Sequence, residues 1–255
     1  MDVDQRELEF AADAIADADS VVALTGAGVS TASGIPDFRG SDGLWSTYDQ
    51  RDFHIDRFRT DPGGFWDDRL DLQEMMYDGE ERVQPNACHE ALATLQREGH
   101  LDSLVTQNID GLHQDAGSED VIELHGNNER VVCQDCRSRF GAEPVDERAR
   151  AGELPPRCPE EGCDGVLKPD TVLFGEQLPE YAMMKAHAAA EGADAFLAVG
   201  SSLTVEPAAS LPRTAADKGA TLVVVNFDRT PLSDRAEYDF RADVTEVLPA
   251  IAAAL

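Results

Sequence analysis

The sequence predicts an α/β fold, a large Rossmann-like doubly wound parallel sheet carrying a helical and loop insertion and a small cysteine-bearing module. Three observations carry that prediction. Short apolar runs, VVALT (21–25), LDSLVT (101–106), AFLAVG (195–200) and TLVVVN (221–226), lack polar alternation, as strands covered on both faces do. Helical apolar spacing recurs at 86–98, 179–191, 207–218 and 244–254, and strands alternating with helices of that length indicate βαβ units. Two stretches, 40–84 and 127–168, break the alternation. At 255 residues the chain can bury a sizeable core, as one large domain or a large and a small one.

Taken in order, residues 6–18 place Leu8, Ala11, Ala12 and Ile15 at helical spacing, so a helix precedes the first strand. VVALT then runs into GAGVSTASGIPDFRG (26–40), which reads as strand, tight turn and helix start. Gly26 and Gly28 let the backbone come close to a ligand, and amides at a helix N-terminus can face a phosphate. The dinucleotide fingerprint GxGxxG is incomplete: Thr31 stands at the third glycine, with Gly34 three residues on. Residues 40–84 are rich in Asp, Arg and aromatics and turn at Asp61-Pro62-Gly63-Gly64, which predicts a loop and short helices without a strand. Cys88, alone in the following helix, reads as a small buried hydrophobe.

LVTQNIDGLH (104–113) places Gln107, Asn108 and Asp110 just past a strand, where open α/β sheets bind ligands; helix capping is the competing role. VIEL (121–124) is a shorter strand that ends on His125 and Gly126. A histidine there can serve as a general base, because it titrates near neutrality. The other five, His54, His89, His100, His113 and His187, sit in no comparable pattern. Further on, VGSSLTVEPA (199–208) repeats the strand–turn–helix pattern, with Gly200, Ser201 and Ser202 at the turn. TLVVVN ends on Asn226, placed to bond a ribose hydroxyl.

Four of the five cysteines form two pairs, Cys133/Cys136 and Cys158/Cys163, each on a short turn. Two thiolate knuckles complete one tetrahedral zinc site, and a closed four-cysteine site is structural because it has no open position for water. A redox dithiol would account for one pair but not for the second. The segment KPDTVLFGE (168–176) then leads out of the module.

The formal net charge is −29, from 50 Asp plus Glu against 21 Lys plus Arg, of which only Lys168, Lys185 and Lys218 are lysines. Carboxylates spread along the whole chain indicate adaptation to a salt-rich cytoplasm, where self-repulsion is screened; an acidic surface for basic tails is a compatible reading. No basic stripe exists to neutralise nucleic-acid phosphates. No apolar run approaches a membrane span, and MDVDQRELEF lacks the order of a signal peptide, which leads to the expectation of a cytoplasmic protein with reduced thiols.

The ordered blocks GAGVSTASGIPDFRG, TQNID, HG, the paired cysteines, KPDTVLFGE, GSSLTVEPA and VN, spanning roughly residues 8–250, resemble the sirtuins, NAD-dependent protein deacylases. The resemblance implies that Gly26, Ala27, Gly28, Ser30, Asp37, Phe38 and Arg39 bind NAD and that Gln107, Asn108, Ile109 and Asp110 line its nicotinamide and ribose pocket. Gly200, Ser201, Ser202 and Asn226 would hold the adenosine half, and the backbone of Val172, Leu173, Phe174 and Gly175 would pair with an acyl-lysine peptide as an added strand. His125, also at the cofactor, would be the base and Asn108 its catalytic companion as NAD is cleaved to nicotinamide and the acyl group passes to ADP-ribose. One structural zinc would sit on Cys133, Cys136, Cys158 and Cys163. The implied division is 1–39, 85–126 and 169–255 for the NAD-binding domain, 40–84 for the insertion and 127–168 for the zinc-binding module. The stretch FWDDRLDLQEMMY (65–77) lacks the Tyr-x-x-Arg pair of sirtuins that remove acidic acyl groups, which favours acetyl or another neutral group. Mono-ADP-ribosyl transfer and NAD sensing without turnover are the rival functions; the missing third glycine argues against a dehydrogenase.

Overall fold

The computed structural model describes residues 3–36, 49–77 and 83–255, the side chains of residues 50 and 75–77 excepted. Its larger sheet has the strands β1 (Val21–Thr25), β2 (Ser103–Thr106), β3 (Ile122–Glu123), β7 (Ala195–Val199), β8 (Thr221–Val225) and β9 (Tyr238–Phe240). They lie in the order β3-β2-β1-β7-β8-β9, every pair parallel. The chain winds outward in both directions from β1 and β7, which are neighbours in space although 170 residues separate Thr25 from Ala195. That reversal opens a crevice at the carboxyl ends of the two strands, the place where such sheets take ligands.

Both faces of the sheet are covered, which is why the strands read as unbroken apolar runs. On one face, Leu8, Ala11 and Ile15 of α1 (Gln5–Ala16), Leu92 and Leu95 of α4 (Ala87–Glu98) and Val247, Leu248 and Ile251 of α9 (Val244–Ala254) pack on Ala23, Leu104, Leu197 and Val223. On the other, Ala186 and Ala190 of α7 (Glu180–Gly192) and Leu211 and Ala215 of α8 (Ser210–Lys218) meet Leu24, Phe196 and Val224. The alanines let α7 lie close to the strands. Cys88 is fully buried in the first of these cores, as a small hydrophobe.

A second lobe holds a three-stranded antiparallel sheet, β5-β4-β6, from β4 (Gly126–Cys133), β5 (Arg139–Gly141) and β6 (Leu167–Thr171). The insertion helices α2 (Ile55–Thr60) and α3 (Pro62–Tyr77) and the module helix α6 (Ala142–Arg150) share one core with it, where Phe58, Phe65 and Trp66 pack with Val131, Val145 and Leu167. Trp66 Nε1 donates to Leu167 O at 2.8 Å. The insertion and the cysteine module thus fold as one lobe rather than two appendages. Its strands also cross the expected boundaries at 126/127 and 168/169, since β4 begins at Gly126 and β6 ends at Thr171.

Three further differences from the sequence reading have local causes. After β1 the glycine block forms two 3-10 turns, Ala27–Val29 and Thr31–Ser33, and not the start of an α-helix. The insertion holds a 16-residue helix, longer than the short helices expected, and among its described residues the one β-bridge is His54–Phe174. Strands β4, β5 and β9 and helix α6 were not expected, because their sequences are short, polar or charged and are fixed by pairing and packing. Asp37, Phe38 and Arg39 lie outside the described residues.

Candidate functional site

The turns that follow β1 and β7 meet at the crevice. Gly28 N–H donates to Gly200 O at 2.8 Å, and a Cβ on Gly28 would lie 2.8 Å from that oxygen. Glycine is required here because one turn lies against the other: its room is taken up by Gly200, not by open space. Ser30, at the join of the two 3-10 turns, is buried; its hydroxyl donates to Asp110 Oδ2 at 2.7 Å and accepts from Asn108 Nδ2 at 3.1 Å. Asn108 Nδ2 also donates to Gly26 O at 3.2 Å, and its backbone N–H to Thr106 Oγ1. Both amide protons of this side chain are therefore committed to the turn that carries Gly26 and Ser30.

The neighbouring residues tie the rest together. Gln107 Nε2 donates to Ser201 Oγ at 2.9 Å, joining the end of β2 to the turn after β7. Ile109 is half-buried, and its carbonyl receives Asn128 N–H at 2.7 Å. Ala27 and Gly200 stand on the facing turns, with Gly200 at φ +59°. Ser202 is exposed and bonded to Thr204, and Asn226 Nδ2 closes its own turn on Asp228 O. The structure thus brings Gly26, Ala27, Gly28, Ser30, Gln107, Asn108, Asp110, Gly200 and Ser201 together, while Ser202 and Asn226 occupy outer turns.

His125 follows β3 and Leu124. Its Nδ1 lies 2.8 Å from Gln107 O, an atom that can only accept, so Nδ1 carries the proton and Nε2 presents a lone pair. Burial lowers its pKa from the ordinary histidine value, opposed by the hydrogen bond to Gln107. The ring is therefore neutral at pH 7 and held in the tautomer that accepts a proton. Gly126 lets the chain turn at φ +76° into β4; a Cβ there would sit 2.0 Å from Asp170 O.

Beside His125, Val172 N–H donates to His125 O at 2.8 Å. Phe174 pairs with Phe53 and Ile55, and Leu173 N–H donates to Glu176 Oε2. Leu173 is buried in the second lobe and Phe174 is 38% exposed. Most amides of the segment expected to meet a peptide are thus already engaged. The exposed residues of this stretch lie further on, at Gly175 and Gln177.

A polar chain beneath the crevice was not anticipated. His113, on the short helix α5 (Leu112–Asp115), is buried against Thr25 Oγ1 at 2.8 Å, and Thr25 donates to Thr106 Oγ1 at 2.8 Å. The His113 ring lies 4.8 Å from that of His89, whose Nδ1 accepts Asn86 N–H in the capping box of α4. Asn86 Nδ2 reaches up to Val29 O and Ser33 Oγ. The Asn-x-x-His spacing at a helix start was the sequence signal for this support, since Asn caps and the residue at N3 reaches back. Arg69 is equally displaced from a substrate role. It is 5% exposed, donates to Asp146 Oδ1 at 2.8 Å and stacks over Trp66.

In the second lobe the four sulfurs of Cys133, Cys136, Cys158 and Cys163 lie within 4.8 Å of one another. Four converging thiols with no other ligand type fit a structural zinc, whose tetrahedral site they would fill.

Fold and site define a class: a doubly wound α/β protein with a glycine-lined crevice at the strand reversal and a second lobe closed by four cysteines. The Sir2 family matches residues 26–207. The chain is 55% identical over 251 residues to an NAD-dependent protein deacetylase of Haloarcula marismortui, covering 98% of this chain and 95% of that one. It is 40% identical over 246 residues to an NAD-dependent protein deacylase of Archaeoglobus fulgidus, covering 96% and 94%. A Sir2–p53 peptide–NAD+ structure matches with TM-score 0.79 and 38% identity, covering 92% of this chain and 93% of that chain. The chain belongs to the Sir2 family.

Proposed function

We propose that this protein is an NAD-dependent protein-lysine deacetylase acting on acetyl or another neutral acyl group, with His125 as general base. The observation that carries this reading is the His125 ring, neutral and held by Gln107 O with Nε2 as its free acceptor. When bound, NAD supplies the activated ribose carbon and the hydroxyl that takes the acyl group. Within the chain, Gly26, Ala27, Gly28, Ser30 and Gln107 shape the cofactor crevice with Asn108, Ile109 and Asp110. Gly200, Ser201, Ser202 and Asn226 hold the adenosine side, and Asp37, Phe38 and Arg39 belong to the same site. Asn108 is the companion of the base, its amide protons being held by Gly26 and Ser30. His125 Nε2 takes a hydroxyl proton in a half-buried setting that limits water.

The segment Val172, Leu173, Phe174 and Gly175 borders the peptide, with Gly175 and the residues after it offering the open edge. A neutral acyl group is supported by Arg69, the arginine of that region, being spent on Asp146. Zinc holds the second lobe and takes no part in the chemistry. The large sheet forms the cofactor domain, and the insertion helices with the cysteine module, from Gly126 to Thr171, form the second lobe. The working environment is a salt-rich cytoplasm, in keeping with the charge of −29, and neither nucleic acid nor a membrane is a partner. No helix among the described residues is long and apolar enough to cross a membrane.

The test is incubation with NAD and an acetyl-lysine peptide in molar potassium chloride, following nicotinamide and peptide mass. Matched release of nicotinamide and loss of acetyl are expected, with His125→Ala slowed about 10²–10⁴-fold, the usual contribution of a general base. Nicotinamide release without deacetylation would favour ADP-ribosyl transfer; NAD binding without turnover would favour a sensor.

A further inference from the structure

A cavity of about 480 Å³ opens beside the peptide edge, on the side of the cysteine-bearing lobe. Its lining includes Gly126, which follows the proposed base His125, Val172, whose N–H donates to His125 O, and Gln177 and Pro179 beyond Gly175. Its charge departs from that of the chain. Arg130, Arg137, Arg139 and Lys168 line it, against the carboxylates Glu123, Asp170 and Glu176. Elsewhere acids outnumber bases more than two to one, and only three lysines exist in all.

The pairing leaves cationic capacity over. Lys168 Nζ is committed to Glu176 Oε2 at 2.8 Å and Thr171 O. Arg130 and Arg139 share one carboxylate, Asp170, at 3.3 and 2.8 Å, with Arg130 also on Glu123. Arg137 has no ion-pair partner among the described residues and stands in a left-handed turn at φ +66°. A guanidinium without a carboxylate beside a shared one is a fork suited to a further carboxylate.

We propose that this cavity is a subsite for an acidic side chain flanking the acyl-lysine of a protein substrate. The inference rests on the deacetylase reading above. A peptide added at the edge beyond Gly175 sends alternate side chains to opposite faces, and pockets for those side chains give such complexes their specificity. Those turned toward the second lobe meet Arg137 and Arg139. At molar salt the screening length is about 3 Å, so long-range steering is lost and only a contact pair can discriminate. The global charge of −29 works the other way, favouring basic flanks. A preference for acidic flanks therefore has to come from a local site.

The experiment compares acetyl-lysine peptides with Glu, Ala or Lys at each of three positions on either side, in 2 M potassium chloride. Wild type is expected to turn over the best Glu peptide with about tenfold higher kcat/KM than its Ala counterpart, the size of one charge-assisted contact. In the double variant R137N/R139Q that ratio falls to near one. Asn suits the left-handed turn and Asp170 keeps Arg130, and zinc content and Tm monitor folding. R137K/R139K retains a preference for Glu. Equal rates for all flanks, a preference for Lys, or a Glu preference that survives R137N/R139Q would overturn the proposal. If no peptide is turned over, the deacetylase reading fails separately, and peptide anisotropy reads the same Glu-to-Ala ratio as affinity.

Discussion

At the scale of single residues, three histidines decide how the protein responds to acid. His113 is buried and its pKa is pushed down to about 3, by burial and then by the facing His89. His89 and His125 are also lowered, in each case chiefly by burial. A histidine whose folded pKa lies below its unfolded value of about 6.5 takes its proton first in the unfolded chain. Stability from these groups is whole above pH 6.5 and is lost as pH falls toward the folded values. From pH 6.5 downward the slope due to His113 steepens, approaching about 1.4 kcal/mol per pH unit near pH 5. Denaturant melts at constant salt should show this slope, and His113→Asn should reduce proton uptake on unfolding by nearly one. For His125 the same shift places the acid limb of kcat/KM below pH 6.5; a limb at or above 6.5 would show the base to be another group. The place of His125 was legible because the run VIEL leads straight into His125 and Gly126. His113 and His89 were not, since nothing local in LHQD or CHEA reveals that two helices bring the rings together.

At the scale of elements, the second lobe holds a deeply buried ion pair and a sulfur cluster. Arg69 on α3 and Asp146 on α6 have side chains only 6% and 7% exposed, and Gln73 completes the pair by donating to Asp146 Oδ2. Arg69→Ala leaves a buried carboxylate without its partner and should cost about 3–5 kcal/mol, whereas R69M/D146L should cost much less. A double-mutant cycle by chemical denaturation measures both; equal losses would mean that packing rather than charge is at stake. Zinc removal acts on the same lobe from the other side. A chelator should release one zinc per chain and shift Trp66 fluorescence to the red, because its indole packs in the core that Cys133 and Cys158 share. Unchanged emission would mean that the lobe holds without metal. Strands β1, β7 and β8 were legible because burial on both faces demands unbroken apolar runs. Strand β4, GNNERVVC, was not, because half of it is polar and its register is set by β6 across a bulge between Gly126 and Val131.

At the scale of the molecule, 50 carboxylates on a 255-residue chain set the solvent in which it is stable. At 0.1 M salt the Debye length is about 10 Å, long enough for neighbouring surface charges to repel; at 1 M it is about 3 Å. Tm should therefore rise between 0.1 and 1 M potassium chloride and level off beyond, similarly in sodium chloride. A Tm insensitive to salt would show that repulsion is already balanced by the ion pairs. The overall α/β plan was legible from the order of runs and helices. The union of insertion and cysteine module was not, because contacts such as Trp66 to Leu167 join residues about a hundred apart.

The placement of β1 between β2 and β7 also has a meaning in time. A chain is made from its N-terminus, so VVALT leaves the ribosome long before AFLAV, the strand that flanks it. At 5–20 residues per second, roughly 10–35 s pass between them. During that interval an unpaired apolar edge must be shielded by the nascent chain itself or by chaperones. The cysteine lobe, whose four thiols span only Cys133 to Cys163, can capture its metal within the same window. Synthesis thus offers an order of events, the small lobe closing while the larger sheet still waits for its centre.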